Sequence, residues 1–250
     1  MITLYALGSV IGVSILSLLG ILFFLVDERF IRSVLLYIVS FSTGALLGDV
    51  FIHILPDMAE ENADFFPTGL LIILVGILFS FTVEKFIHWR HCHMLPDEDH
   101  GHHHTVGIMS ITGESVHNFI DGIVIAASYL VSVELGLATT LAIVFHEIPH
   151  EIGNFAVLLH SGFPKKKALL LNLFSACTGI LGTALVLWLS RSLGSLILYL
   201  LPFAAGNLLY IAGSDLIPEL HKHTKIHQGF WQLIAMIAGM GFMYLIVIFE

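Results

Sequence analysis

Residues 135–160 read LGLATTLAIVFHEIPHEIGNFAVLLH. A run of about 20 apolar residues is enough to cross a bilayer as a helix. The middle of this run holds His146, Glu147, His150 and Glu151 around Pro149. A charged group at the bilayer centre costs roughly 3 kcal/mol or more, so such residues point to function. A second run, 106–131, carries Glu114, His117, Asn118 and Asp121. At about 100° per residue, Glu114, His117, Asn118 and Asp121 fall on one stripe of their helix, and His146, Glu147, His150 and Asn154 on one stripe of theirs with Glu151 at its edge, at similar depth. Two facing stripes of imidazole and carboxylate make a metal site, suited to Zn2+ and also to Fe2+ or Mn2+. The ligands outnumber what one tetrahedral ion needs, so two adjacent ions can be accommodated. Pro149 withholds a backbone donor, frees the carbonyl of Phe145 and is expected to kink the helix at the cluster.

The rest of the chain agrees with a membrane setting. Of its 250 residues, 57% are hydrophobic and 12% charged, against roughly 25% charged in soluble domains. That excludes both an ordinary soluble protein and a disordered one. The formal charge of −9 excludes a nucleic-acid binder. Cys92 and Cys177 suggest no disulfide framework. The fold class expected is all-α and integral to the membrane, with eight transmembrane helices at about 3–26, 33–56, 68–88, 106–131, 135–160, 167–190, 193–218 and 229–249. The first span is read as a permanent helix and not a cleavable signal peptide. The eight form a single transmembrane domain spanning 1–250, with 89–105 as a separate loop.

Loop charges orient the bundle. Arg29 and Arg32, Lys85 and Arg90, Lys165 to Lys167, and Lys222 and Lys225 sit at loops 1–2, 3–4, 5–6 and 7–8, while Arg191 alone sits on the other side. Nine against one puts those four loops in the cytoplasm and both ends of the chain outside. The outer loop 2–3 is acidic, with Asp57, Glu60, Glu61 and Asp64, and either concentrates cations or is merely solvated. Gly8-x-x-x-Gly12 and Gly44-x-x-x-Gly48 are expected to let the first two helices approach neighbours closely.

Further polar residues mark a path. Asp49 and His53 lie toward the outer end of the second span, Asp215 and Glu219 toward the inner end of the seventh, and Asn172 lies in the sixth. With Glu114 and Glu151 they are candidate stations for an ion on its way through. Loop 3–4 and its edges carry His88, His91, His93, His100, His102, His103 and His104, beside Cys92 and Asp97-Glu98-Asp99. That composition binds transition metals. Its role is regulatory, as sensor or buffer, or that of a linker with opportunistic affinity. His221, His223 and His227 extend the chemistry to loop 7–8.

His117-Asn118-Phe119-Ile120-Asp121-Gly122 and His146-Glu147-Ile148-Pro149-His150-Glu151 resemble the Zrt/Irt-like (ZIP) divalent metal transporter family, in the branch whose fifth helix reads H-E-x-P-H-E. Gly44-Ala-Leu-Leu-Gly48-Asp49 with His53 and Pro56, and Gly206…Tyr210…Asp215…Pro218-Glu219, are similar to the same branch. The resemblance implies eight helices in a 3+2+3 inverted repeat around the fourth and fifth. It implies a binuclear site, with His117, Asp121, His146 and His150 at one position and Asn118, Asp121, Glu147 and His150 at the other. Asn172 stands near where some members place a helix 6 carboxylate, and Asn154 where relatives often have Asp.

The function expected is inward transport of Zn2+, with Fe2+, Mn2+ and Cd2+ as further candidates, in a cell membrane, plasma or inner. Its partners would be metal ions and the lipid bilayer, with no nucleic acid; a homodimer is left open. The alternative is an intramembrane zinc metalloprotease, since His146-Glu147-Ile148-Pro149-His150 satisfies H-E-x-x-H. Pro149 and the superfluous second ligand set weigh against it. A third reading is a structural or sensing membrane protein with bound metal.

Overall fold

Backbone polar groups cannot be left unpaired in lipid, so long apolar runs must close their hydrogen bonds internally, as helices. The computed structural model describes residues 1–22, 26, 28–61, 63–92, 102–190, 197–222 and 225–249. Among these residues there is no strand, and the helical segments fall into eight rods. They are α1 (Ile2–Ile15, with a 3₁₀ stretch Leu16–Ile21), α2 (Glu28–Gly48, a π-helical stretch Asp49–Ile54, then Leu55–Glu61), α3 (Phe66–Cys92) and α4 (His102–Val131). Next come α5 (Val133–His160), α6 (Lys165–Ala176 and Thr178–Leu189), α7 (Ile197–Tyr210, a π-helical stretch Ile211–Leu216, then Ile217–His221) and α8 (Ile226–Phe249).

Six rods are long and apolar enough to cross a membrane, with mean hydropathies from 1.4 to 2.3. The two others, α4 and α5, are those that carry the polar stripes. They lie inside the bundle, where Val124, Ile125, Ala126, Ala138, Ala142 and Ile143 have no exposure. The peripheral rods show large apolar side chains outward, such as Leu71 and Leu78 on α3, Phe174 and Trp188 on α6, and Ile237 and Tyr244 on α8. Exposed apolar side chains on helices long enough to span a bilayer fit a lipid-facing surface. The chain is a multi-pass membrane protein.

Several local features differ from the sequence expectation. Residues 89–92 and 102–105, expected in a loop, continue α3 and begin α4. His91 is therefore helical, as are His102, His103 and His104, while His93 and His100 lie outside the described residues. Pro149 does not interrupt α5, which is one helix from end to end. The two π-helical stretches were not foreseen. Each leads into a short α-helical segment carrying a proline, Pro56 or Pro218, which withholds one donor from the preceding turn.

Small residues set the closest helix contacts. A Cβ on Gly44 would lie 1.9 Å from the Met236 carbonyl oxygen, and one on Gly239 2.1 Å from that of Phe41, so α2 and α8 touch backbone to backbone. Gly206 and Gly76 do the same for α7 and α3, at 2.2 Å from Ile73 O and 2.4 Å from Phe203 O. Gly44 and Gly48 thus behave as expected. Gly8 and Gly12 do not, because a Cβ at either would meet nothing within 4 Å. Small-x-x-x-small permits close packing but does not supply the partner.

Candidate metal centre

The α4–α5 turn fixes the depth of the centre. Ser132 separates the two helices, with extended φ −147° and ψ 162°, and its side chain accepts from the Leu135 N–H. This is an N-cap that starts α5 at once. His117 lies fourteen residues before Val131 (131 − 117) and Glu147 fourteen after Val133 (147 − 133). At about 1.5 Å per residue both are some 21 Å from the turn, so the two stripes meet at one level.

Four side chains converge there. His117 Nε2 lies 3.2 Å from His146 Nε2, 3.1 Å from Glu147 Oε1 and 3.6 Å from Asp121 Oδ2. His146 Nε2 lies 3.1 Å from Asp121 Oδ2 and 3.4 Å from Glu147 Oε1. The side chains of Asp121, His146 and Glu147 are 2%, 0% and 1% exposed, and that of His117 17%. An ion with ligands at about 2.0–2.1 Å in a tetrahedron has ligand–ligand edges of about 3.3 Å. Five of the six edges of this N2O2 set fall at that length.

His150 stands beside the set. Its ring is stacked over His117, with centroids 4.9 Å apart and planes 9° apart, and is edge-on to His146 at 5.8 Å. Asn118 is buried, and its Nδ2 donates to the Glu114 carbonyl at 3.0 Å. Glu114, Glu147 and Glu151 form a neighbouring group, one oxygen of each within 4.8 Å of the others. Asn172 donates through Nδ2 to Glu151 Oε2 at 2.6 Å and to the carbonyls of Glu151 and Ser17 at 3.2 Å. Its Oδ1 accepts from Asn154 Nδ2 at 2.6 Å, and Asn154 Oδ1 accepts from Ser110 Oγ at 2.5 Å.

Other candidates are apart from this centre. Asp49 and His53 face each other at 3.7 Å on the π-helical stretch of α2, both buried. Asp215 takes the Ser214 hydroxyl on the corresponding stretch of α7. With Ser110, Glu114, His150, Asn154, Glu219 and apolar residues of α2, Asp215 lines a cavity of ≈ 530 Å³. Ser110 was not singled out in the sequence, although it stands four residues before Glu114 on the same stripe. Ser42 was also missed. Its hydroxyl lies 2.5 Å from the carbonyl of Phe145, the one Pro149 leaves without its helical donor.

The ZIP Zinc transporter family model matches residues 1–106 and 90–247. Zinc transporter ZIP13 of Pongo abelii is 33% identical over 225 residues, which cover 85% of this chain and 66% of the relative. Zinc transporter ZIP13 of Homo sapiens is 30% identical over 261 residues, covering 85% and 70%. Zinc transporter YKE4 of Saccharomyces cerevisiae is 31% identical over 211 residues, covering 73% and 60%. The chain spans about two thirds of the length of these relatives. The chain belongs to the ZIP zinc transporter family, a family of membrane transporters and not of enzymes.

Proposed function

We propose that the chain carries a divalent metal ion, Zn2+ before Fe2+, Mn2+ or Cd2+, across the membrane into the cytoplasm through the cluster between α4 and α5. The observation that carries this is the set of edges at 3.1–3.6 Å among His117, Asp121, His146 and Glu147. Two imidazoles suit a borderline-soft dication, and two carboxylates balance its charge where water is scarce. His150, stacked on His117 and lining the cavity, is a further candidate ligand beside the set.

The cavity and the loop charges together support the inward direction. Apart from Pro149 and His150, its lining residues fall within 35–39, 110–114, 153–157 and 215–220. These are the parts of α2, α4, α5 and α7 nearest the four basic loops, which the positive-inside rule places in the cytoplasm. Asp49 and His53 occupy the opposite half of α2 and serve as the outer station. The 3+2+3 inverted repeat is supported by matched packing. α2 lies on α8 through Gly44 and Gly239, as α7 lies on α3 through Gly206 and Gly76. The paired π-helical stretches of α2 and α7 fit the same exchange.

The protease reading is set aside. It does not fail through the helix, since α5 runs unbroken through Pro149. It fails because the family is one of transporters and not of enzymes. The test is zinc influx into proteoliposomes holding the full chain, read with an indicator trapped inside. Influx should fall to background for His117→Ala/His146→Ala. Influx equal to that of the unaltered chain would refute the site.

A further inference from the structure

We propose that Glu114, Glu147 and Glu151 form a second, all-oxygen cation position, one step from the His117–His146 cluster, through which the ion passes toward the cavity. The proposal rests on the transport reading above and assigns ligands that the family resemblance does not. By the resemblance, the second position would use Asn118, Asp121, Glu147 and His150. In this chain Glu114, Glu147 and Glu151 bring their carboxylates together as a group of their own, which does not include Asn118, Asp121 or His150.

A group of carboxylates is by itself often only a solvated face. This one is not solvated. Glu147 is 1% and Glu151 0% exposed. Glu147 Oε2, Glu151 Oε1 and Glu114 Oε1 are buried and have no hydrogen-bond partner among the described residues. A buried carboxylate oxygen without a donor is costly unless a cation or donor fills its place. The charge does not come from the same helices, since α1, α4 and α5 contain no Lys or Arg.

Asn172 shapes the position without joining it. Its amide nitrogen holds Glu151 Oε2, and its amide oxygen is held by Asn154. The α6 asparagine therefore fixes one oxygen of Glu151 and leaves the other free. Glu147 links the two positions. Its Oε1 faces the imidazoles of His117 and His146, while Oε2 is the unpartnered oxygen. An ion can move from one oxygen of Glu147 to the other without giving up that carboxylate. Glu114 then hands it on, because Glu114 also lines the cavity.

The donor chemistry separates the positions. Two imidazoles and two carboxylates favour Zn2+, whereas three carboxylates without nitrogen favour harder ions such as Mn2+. The test uses the purified full chain in detergent, with Zn2+ stoichiometry by equilibrium dialysis and Mn2+ binding by electron paramagnetic resonance. The unaltered chain should bind two Zn2+. Glu114→Gln/Glu151→Gln should bind one, with Mn2+ affinity reduced ~10-fold or more. His117→Ala/His146→Ala should lose the tight Zn2+ and keep its Mn2+. If the Gln pair does not fold, Glu114→Gln alone, at the half-buried edge of the group, should still weaken Mn2+ binding. A Gln variant with unchanged Mn2+ affinity, or a His variant that loses Mn2+ together with Zn2+, would overturn the second position. Failure of the transport reading is a different result, namely no zinc influx by the unaltered chain in vesicles.

Discussion

Replacing Ser42 by Ala removes a donor at the one place where α5 has given up its own. Pro149 has no N–H, so the carbonyl of Phe145 lacks its helical partner. The Ser42 hydroxyl lies 2.5 Å from that oxygen and 2.7 Å from the carbonyl of Ile38 on its own helix. One proton serves both acceptors, so the cross-helix bond is a shared one. Interhelical hydrogen bonds in membranes average about 0.6 kcal/mol and reach about 1.7 kcal/mol. Ser42→Ala should therefore destabilise the folded chain by about 0.6 to 1.7 kcal/mol. In Pro149→Ala the backbone N–H returns to the Phe145 carbonyl, and the same substitution at Ser42 should cost close to nothing. The assay is reversible unfolding in mixed micelles for the four combinations. Equal losses in both backgrounds, within about 0.3–0.5 kcal/mol, would mean that the two groups act independently and the reasoning is wrong.

Alanine at His117, Asp121 or His146 should abolish zinc influx, since each removes one corner of the ligand set, while wild-type influx by any one of them in vesicles would remove that corner from the site. Gly44→Leu should destabilise the fold by about 1–3 kcal/mol in micelle unfolding, because its Cβ would overlap the Met236 backbone, whereas Gly8→Ala should stay within about 0.5 kcal/mol. Cysteine placed at Glu60 should react with an impermeant reagent from outside and cysteine at Lys166 only after permeabilisation; the reverse pattern would invert the topology. Replacing His91, His93, His100, His102, His103 and His104 by Ser should leave substantial influx, because those residues lie beyond the depth at which a dication must exchange water for ligands; a loss as complete as that of His117→Ala would put them on the obligatory path.

The convergence of the two polar stripes was legible because helical periodicity is local. Glu114, His117, Asn118 and Asp121 share a face at any helix tilt, and so do His146, Glu147 and His150. Equal depth was legible as well, since one short turn joins the two helices. What the sequence could not supply was which atoms face each other. His150 reads as a ligand equal to His146, yet in the folded chain it stacks on His117 and opens onto the cavity. Asn172 reads as a poor replacement for a carboxylate ligand. Its role as the brace of Glu151 depends on Asn154 and on the carbonyl of Ser17, 155 residues away in the chain. Gly8-x-x-x-Gly12 and Gly44-x-x-x-Gly48 are the same pattern, and only the fold tells which one meets a helix.

The π-helical stretches show a limit of a different kind. A hydrophobic run specifies a helix that spans, but not the register of its hydrogen bonds. In α2 the proline at 56 follows Asp49 by seven residues, and in α7 the proline at 218 follows Asp215 by three. Each proline removes a donor from the turn behind it, and the chain there has shifted to the wider bonding of the π form. Such a turn presents a different arc from the α-helix on either side. The polar residues it carries are therefore aimed by the proline as much as by their own spacing. Asp49 and His53 are i, i+4 in sequence, yet the distance of 3.7 Å between them belongs to the altered turn. Replacing Pro56 by Ala offers the missing N–H to the carbonyl of residue 52 and favours the narrower helix. It should thus change the outer station without touching either residue that forms it. Loss of zinc influx in Asp49→Ala but not in Pro56→Ala would show that spacing alone, and not the proline-set turn, aims the pair.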